Sequence, residues 1–264
     1  MRLALVGFLC AAAVFGQTRA ERGKRIVDEA LEALGGAKYL GMRNRVETGR
    51  AYSFYREELS GLSIATIYVR YEEPLGTPAK DQLRQRERQS FGKEEKSGAV
   101  LFAEGKGYEI TFRGARPLPQ ATLDRYQSST LNNILYILRE RLNEPGMIFE
   151  YQGSDTIDNM PANKVDITDS ENRTVTVYFH QSTKLPLRQS YIRRDPKTGD
   201  RIEEVTLFGK YRDAGGVLWP LDVQRFRNGD RIYQMYAENV EINTGLEDKL
   251  FELPSGIKIL KPVK

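Results

Sequence analysis

Ala65-Thr66-Ile67-Tyr68-Val69-Arg70-Tyr71 puts Ala65, Ile67, Val69 and Tyr71 on one side of the backbone and Thr66, Tyr68 and Arg70 on the other. A period of two is the mark of a strand with one buried face. Working outward, similar segments fall at 46–56, 82–91, 99–103, 107–113, 148–156, 164–168, 174–180, 187–194, 201–210, 217–226 and 231–242. Short turn signals join most of them, such as Asp195-Pro196-Lys197-Thr198-Gly199 and Asn228-Gly229-Asp230, so the connections are hairpins and the pairing is antiparallel.

Two stretches break this period. Ile26, Ala30, Leu31 and Leu34 recur at helical spacing before Gly35-Gly36, and Leu131, Ile134, Leu135, Leu138 and Leu142 form a second stripe. For the second, Ser128-Ser129-Thr130 offers an N-cap and Pro145-Gly146 a stop. The expected fold is α+β: a large antiparallel sheet, too long to stay flat, that curves and is covered on its concave side by these helices.

The amino terminus has a separate meaning. Arg2, the apolar run from Leu3 to Phe15 and small residues before Thr18-Arg19-Ala20 have the layout of a secretory signal peptide, and the run is too short for a membrane helix. The expected organisation is residues 1–20 as leader, cut after Gly16 or Ala20, and 21–264 as one domain. Cys10, the only cysteine, falls within the leader, so the mature chain carries no thiol, disulfide or cysteine-bound metal. The chain is expected to be exported.

Composition narrows the chemistry. A net charge of +4 on a chain with 40 basic and 36 acidic residues is a small excess on a charged surface and gives no case for nucleic-acid binding. Hydrophobic residues at 40% suffice for a real core. His180, the only histidine, falls on the polar face of its strand, which excludes a histidine-cluster metal site and leaves no Ser-His-Asp constellation. Glu57-Glu58 and Glu203-Glu204 are adjacent, hence on opposite faces of a strand, and make poor catalytic dyads. Gly105-Lys106-Gly107 and Gly215-Gly216 lie between strands and do not open helices, so they are turns and not phosphate cradles. Asn172-Arg173-Thr174 matches a glycosylation acceptor, which matters only in a eukaryotic host. No catalytic residue, metal or cofactor is expected.

An apolar interior can serve as core or as a ligand cavity. The candidates are Ala65, Ile67, Val69 and Tyr71 on one strand, Leu131, Leu135 and Leu138 on the covering helix, Val175, Val177 and Phe179 on a third element, and Trp219 with Leu221. Pro220 between the last two points to a bulge or an edge.

The ending carries a resemblance. Thr183-Lys184-Leu185-Pro186, the turn from Asp195 to Gly199, the late strand through Tyr236, Asn239 and Ile242, and Leu250-Phe251-Glu252-Leu253-Pro254-Ser255-Gly256-Ile257 resemble the LolA-like periplasmic lipoprotein-carrier family, and Ala33-Leu34-Gly35-Gly36 with Leu40 resembles the start of related periplasmic proteins. The resemblance implies a half-open β-barrel closed by helices, whose apolar cavity shields acyl chains of a lipoprotein or lipid bound for the outer membrane, with membrane-bound loading and receiving proteins as partners. The alternative is an envelope sensing or scaffold protein of the same fold that binds another protein.

Overall fold

The computed structural model describes residues 17–72, 82–92, 98–195 and 198–262; residues 1–16 of the expected leader lie outside them. Among the described residues thirteen strands form a single antiparallel sheet. They are β1 (Asn44–Tyr55), β2 (Glu58–Tyr71), β3 (Gln85–Phe91), β4 (Ala99–Ala103), β5 (Lys106–Thr111), β6 (Gly114–Pro117), β7 (Ile148–Ile157), β8 (Met160–Thr168), β9 (Thr174–His180), β10 (Pro186–Arg194), β11 (Arg201–Asp213), β12 (Leu218–Arg227) and β13 (Asp230–Ile242). Their order is β6-β5-β4-β3-β2-β1-β13-β12-β11-β10-β9-β8-β7. The chain therefore meanders outward from β1 to one edge, crosses over, and meanders back from the other edge until β13 pairs with β1. The sheet is curved and not closed, a half-open barrel with covering helices.

The curvature has local causes. Bulges shift the register between Thr48 and Gly49, Ser53 and Phe54, and Arg225 and Phe226, and each bends its strand. At Gly49 a Cβ would lie 2.1 Å from the Tyr236 carbonyl oxygen, so only glycine allows that bend.

Among the described residues four α-helices accompany the sheet: α1 (Arg19–Leu34), α2 (Ala37–Leu40), α3 (Gln120–Leu131) and α4 (Ile134–Tyr136), the last continuing as a π-turn over Ile137–Arg141. A capping box starts α1: the Glu21 amide donates to Thr18 Oγ1 and the Thr18 amide to the Glu21 carboxylate. Gly35 ends it at φ 128°, where a Cβ would also strike the Gly216 carbonyl.

The segment 118–147 is the crossover between the edges, and it carries α3, α4 and the π-turn. This departs from the expected continuous helix. Ser128, Ser129 and Thr130 are not its N-cap; they form the last turn of α3, which begins after Pro119. The chain breaks at Asn132-Asn133, and Asn133 caps α4 through the Leu135 amide. Gln189 of β10 makes the break tolerable, accepting from the Ile134 amide at 2.8 Å and donating to the Asn132 carbonyl at 3.1 Å while itself 2% exposed.

Helices and sheet meet in one core on the inner face, where Val27, Leu34, Tyr39, Ile134 and Leu138 pack on Val165, Ile167, Val175, Val177, Phe179 and Phe208. Among the described residues no helix is long and apolar enough to cross a membrane. The outer face of β2 to β5 is covered by the carboxyl-terminal segment, where Phe251, 2% exposed, packs with Leu101, Ile110 and Ala115.

Candidate functional site

The inner face has two halves of different character. Against β7 to β12 it is filled by helix side chains, and Val175, Val177, Phe179, Leu135 and Leu138 all lie within that packing. Across β12, β13, β1 and β2 it carries a second cluster built from strand residues: Ala51, Ala65, Leu221, Met235 and Ala237, flanked by Ile67, Phe91, Tyr233 and Val240.

Register explains the shape of this second half. Ala237, Gly49, Ala65 and Phe91 lie opposite one another in one row, and Val223, Met235 and Ala51 in the next. Nothing larger than a methyl group rises from Gly49, Ala51, Ala65 and Ala237, whereas Leu221, Met235, Phe91 and Tyr233 stand taller beside them. The result is a trough floored by small residues. Its walls close over the floor, since Ala65 is 0% and Ala237 1% exposed.

Polar groups bound the trough at both ends. At the inner end Arg45 donates to Glu47 at 2.6 Å and to the Tyr71 hydroxyl at 2.7 Å, and its guanidinium lies 4.1 Å from the centre of the Trp219 ring. Burial opposes the Arg45 charge, but the Tyr71 oxygen and Glu47 more than offset it and hold its pKa above the ordinary value. Beside it Glu87 accepts from Gln89 at 2.5 Å and from the Tyr126 hydroxyl at 3.2 Å, and Tyr126 stacks on Phe102. At the outer end Glu204 accepts from Arg193 and Arg227, and Arg225 lies 5.6 Å from the Tyr233 ring centre. Burial pushes the Tyr233 hydroxyl up to about 12, so it stays neutral. From Glu47 to Ser53 the strand rises about 20 Å at ~3.3 Å per residue.

The sequence candidates are distributed across both halves. Ala65 floors the trough, with Ile67 and Leu221 beside it. Trp219, 4% exposed, stands where the halves meet, stacked near Tyr39 and Arg45. Tyr71 borders the helix-packed core and Val69, 0% exposed, shares the Arg45 row. Leu131 is buried at the end of α3, where its carbonyl accepts from Arg141. Pro220 lies two residues before Asp222, the first residue of β12 that pairs with β13, so it has a strand on one side only, opposite Tyr211 of β11. His180 accepts the Ser182 and Thr183 amides at 3.1 Å through Nδ1, holding the β9–β10 turn. Sequence reasoning did not find Gly49, Ala51, Ala237 and the outer arginines. Their only signal is register, which hairpin turns fix but residue patterns do not display.

A concavity of about 1120 Å³ lies along the outward side of α1 against Leu142, Met147, Ile148 and Phe149. It is bordered by charged residues already engaged with one another: Lys24 with Asp28, and Glu29 with both Arg25 and Lys184. Among the described residues no group of three or more His, Cys, Asp or Glu side chains is placed to hold a metal ion.

No protein-family model matches the sequence, and no curated protein matches it. Solved structures do. A DUF1329 family protein from Desulfovibrio piger ATCC 29098 is similar with a TM-score of 0.58 at 12% identity, over 89% of this chain and 98% of that one. A domain from Vibrio parahaemolyticus described as an outer membrane lipoprotein-sorting protein gives 0.55 at 12% identity, over 88% and 97%. A LolA superfamily protein from Nitrosomonas europaea gives 0.52 at 11% identity, over 87% and 96%. At these identities the likeness establishes architecture: the chain has a LolA-like fold.

Proposed function

We propose that this LolA-like half-barrel is a periplasmic carrier that shelters acyl chains of a lipid or lipoprotein on their way towards the outer membrane. The observation that carries the reading is the trough of Gly49, Ala51, Ala65 and Ala237 on the inner face, apolar along its length and polar at both ends. Its walls meet over Ala65 and Ala237, both fully buried. An acyl chain entering between Leu221, Met235 and Phe91 gains about 0.8 kcal/mol per buried methylene, set against the displacement of those side chains. Export fits the same reading. Cleavage after Gly16 preserves the Thr18–Glu21 capping box of α1, whereas cleavage after Ala20 removes Thr18.

The test is lipid mass spectrometry on protein purified from its native host, beside an Ala65→Phe variant that fills the trough. Near-stoichiometric acyl chains in the wild type and their loss in a still-folded variant are expected. An empty wild type whose trough no added lipid will enter overturns the reading. The zero exposure of Ala65 also favours a second reading, an envelope scaffold of the same fold that binds another protein. An empty protein cross-linked to one specific partner supports it.

A further inference from the structure

Resting on the acyl-chain reading of the trough, we propose that its outer end selects the headgroup, and that Arg193, Arg225 and Arg227 make it a site for lipids with an anionic phosphate head. Glu204 pairs with Tyr191 on one side and Arg227 on the other, Thr206 with Arg225, and Arg225 with Tyr233, so these side chains share the inner face. Tyr233 in turn packs on the alanine cluster. A headgroup at Arg225 and Arg227 is thereby continuous with a chain in the trough.

The charges at this end are incompletely matched. Arg193 and Arg227 both donate to one oxygen of Glu204, at 2.8 and 3.2 Å, and one carboxylate neutralises one guanidinium. Asp230, opposite Arg227 in register, is exposed. Arg225 is exposed, with its guanidinium over the Tyr233 ring. The opposite end of the trough differs: Arg45 is already engaged by Glu47, Tyr71 and Trp219. Planar guanidinium forks suit the paired oxygens of a phosphate, and each charge-assisted bond contributes more than a neutral one. A zwitterionic head brings its own cation against these arginines and loses that gain.

Competition against a trough-bound apolar dye tests the inference, with lysophosphatidylglycerol and lysophosphatidylcholine of equal chain length as competitors. About tenfold tighter binding of the anionic lipid is expected, from one or two charge-assisted bonds. In R225Q/R227Q that ratio falls to near one, the anionic lipid losing more affinity than the zwitterionic one; R225Q alone, at an exposed residue, gives a partial fall and covers the case of a double variant that does not fold. Equal binding of the two lipids by the wild type, or a preference that survives in the variants, overturns the headgroup assignment and leaves the carrier reading standing. Displacement by neither lipid overturns both. Glycerol 3-phosphate competing as well as the anionic lipid also overturns it, by assigning the arginines to a soluble phosphate.

Discussion

Asp169 shows how one buried residue holds the crossover in place. It is 5% exposed, and its Oδ2 accepts from Arg141 at 2.9 Å and from Arg173 at 2.7 Å, while Oδ1 accepts the Glu171 and Arg173 amides. Arg141 also donates to the Leu131 carbonyl and to Glu144, so this one cluster ties the end of α3, the π-turn and the β8–β9 turn together. Burial alone would raise the Asp169 pKa; the bonds from Arg141 and Arg173 outweigh it and hold the carboxyl below its ordinary value. Because the folded-state pKa is depressed, the stabilisation is fully present above the unfolded value of about 3.9 and is lost as pH falls through the folded one. Asp169→Asn leaves the buried Arg141 with Glu144 as its one remaining carboxylate partner and removes the charge that Arg173 also meets, at a cost of about 2 kcal/mol. Urea unfolding at neutral pH should show that loss, and the difference between wild type and variant should shrink below about pH 4. A difference that holds constant into acid would mean the carboxylate charge contributes nothing there.

At the scale of elements, the strands were legible because each buries one face, and side-chain alternation records this directly. The small strand β6 was not, since Gly114-Ala115-Arg116-Pro117 is too short to alternate and contains both residues that argue against a strand. The split between α3 and α4 was hidden for another reason: a continuous apolar stripe runs across it, and the Gln189 side chain that satisfies the broken backbone comes from a strand 55 residues away. The candidate site was half visible in the same way. Apolar residues such as Ala65 and Trp219 stand out in their own strands, but a trough is a property of four strands in register, and the pairing of Glu204 with Arg193 and Arg227 belongs to three. The seating of α1 follows similar logic. Gly23 faces the start of β7, where a Cβ would lie 2.5 Å from the Phe149 carbonyl oxygen, which is rigid backbone. In an exposed helix Gly→Ala stabilises by up to about 1 kcal/mol, but here the overlap forces α1 away from the sheet, and net destabilisation of about 1–3 kcal/mol is expected for Gly23→Ala. Thermal unfolding decides between the signs, and a raised midpoint would show that α1 is free to shift.

For the whole molecule, an unclosed sheet leaves two edges, and edges are where sheets recruit other chains. The edge at β6 is answered by the chain itself. The Ala115 amide donates to the Lys258 carbonyl at 2.9 Å and the Leu260 amide to the Ala115 carbonyl at 2.8 Å, so the tail runs parallel to β6 as a short strap. Gly114 makes room for it, since a Cβ there would meet the Lys258 oxygen at 2.3 Å. The same tail anchors Phe251, Leu253 and Ile257 on the outer face, and Arg70 and Arg88 donate to the Leu246 and Leu250 carbonyls as it passes. The ending Leu250–Ile257, which in the sequence carries the family resemblance, thus has a physical task independent of any cargo: it covers the outer face and leads into the strap that blunts one edge. A chain ending at Glu252 keeps Phe251 but uncovers β6 and the apolar contacts of Leu253 and Ile257. It should still fold, because the helix-packed core and the trough lie on the other face, yet it should self-associate in a concentration-dependent way. Light scattering across a dilution series reads this directly. If the truncated chain stays monomeric at every concentration, the strap is dispensable for solubility, and the tail is held for its outer-face packing alone.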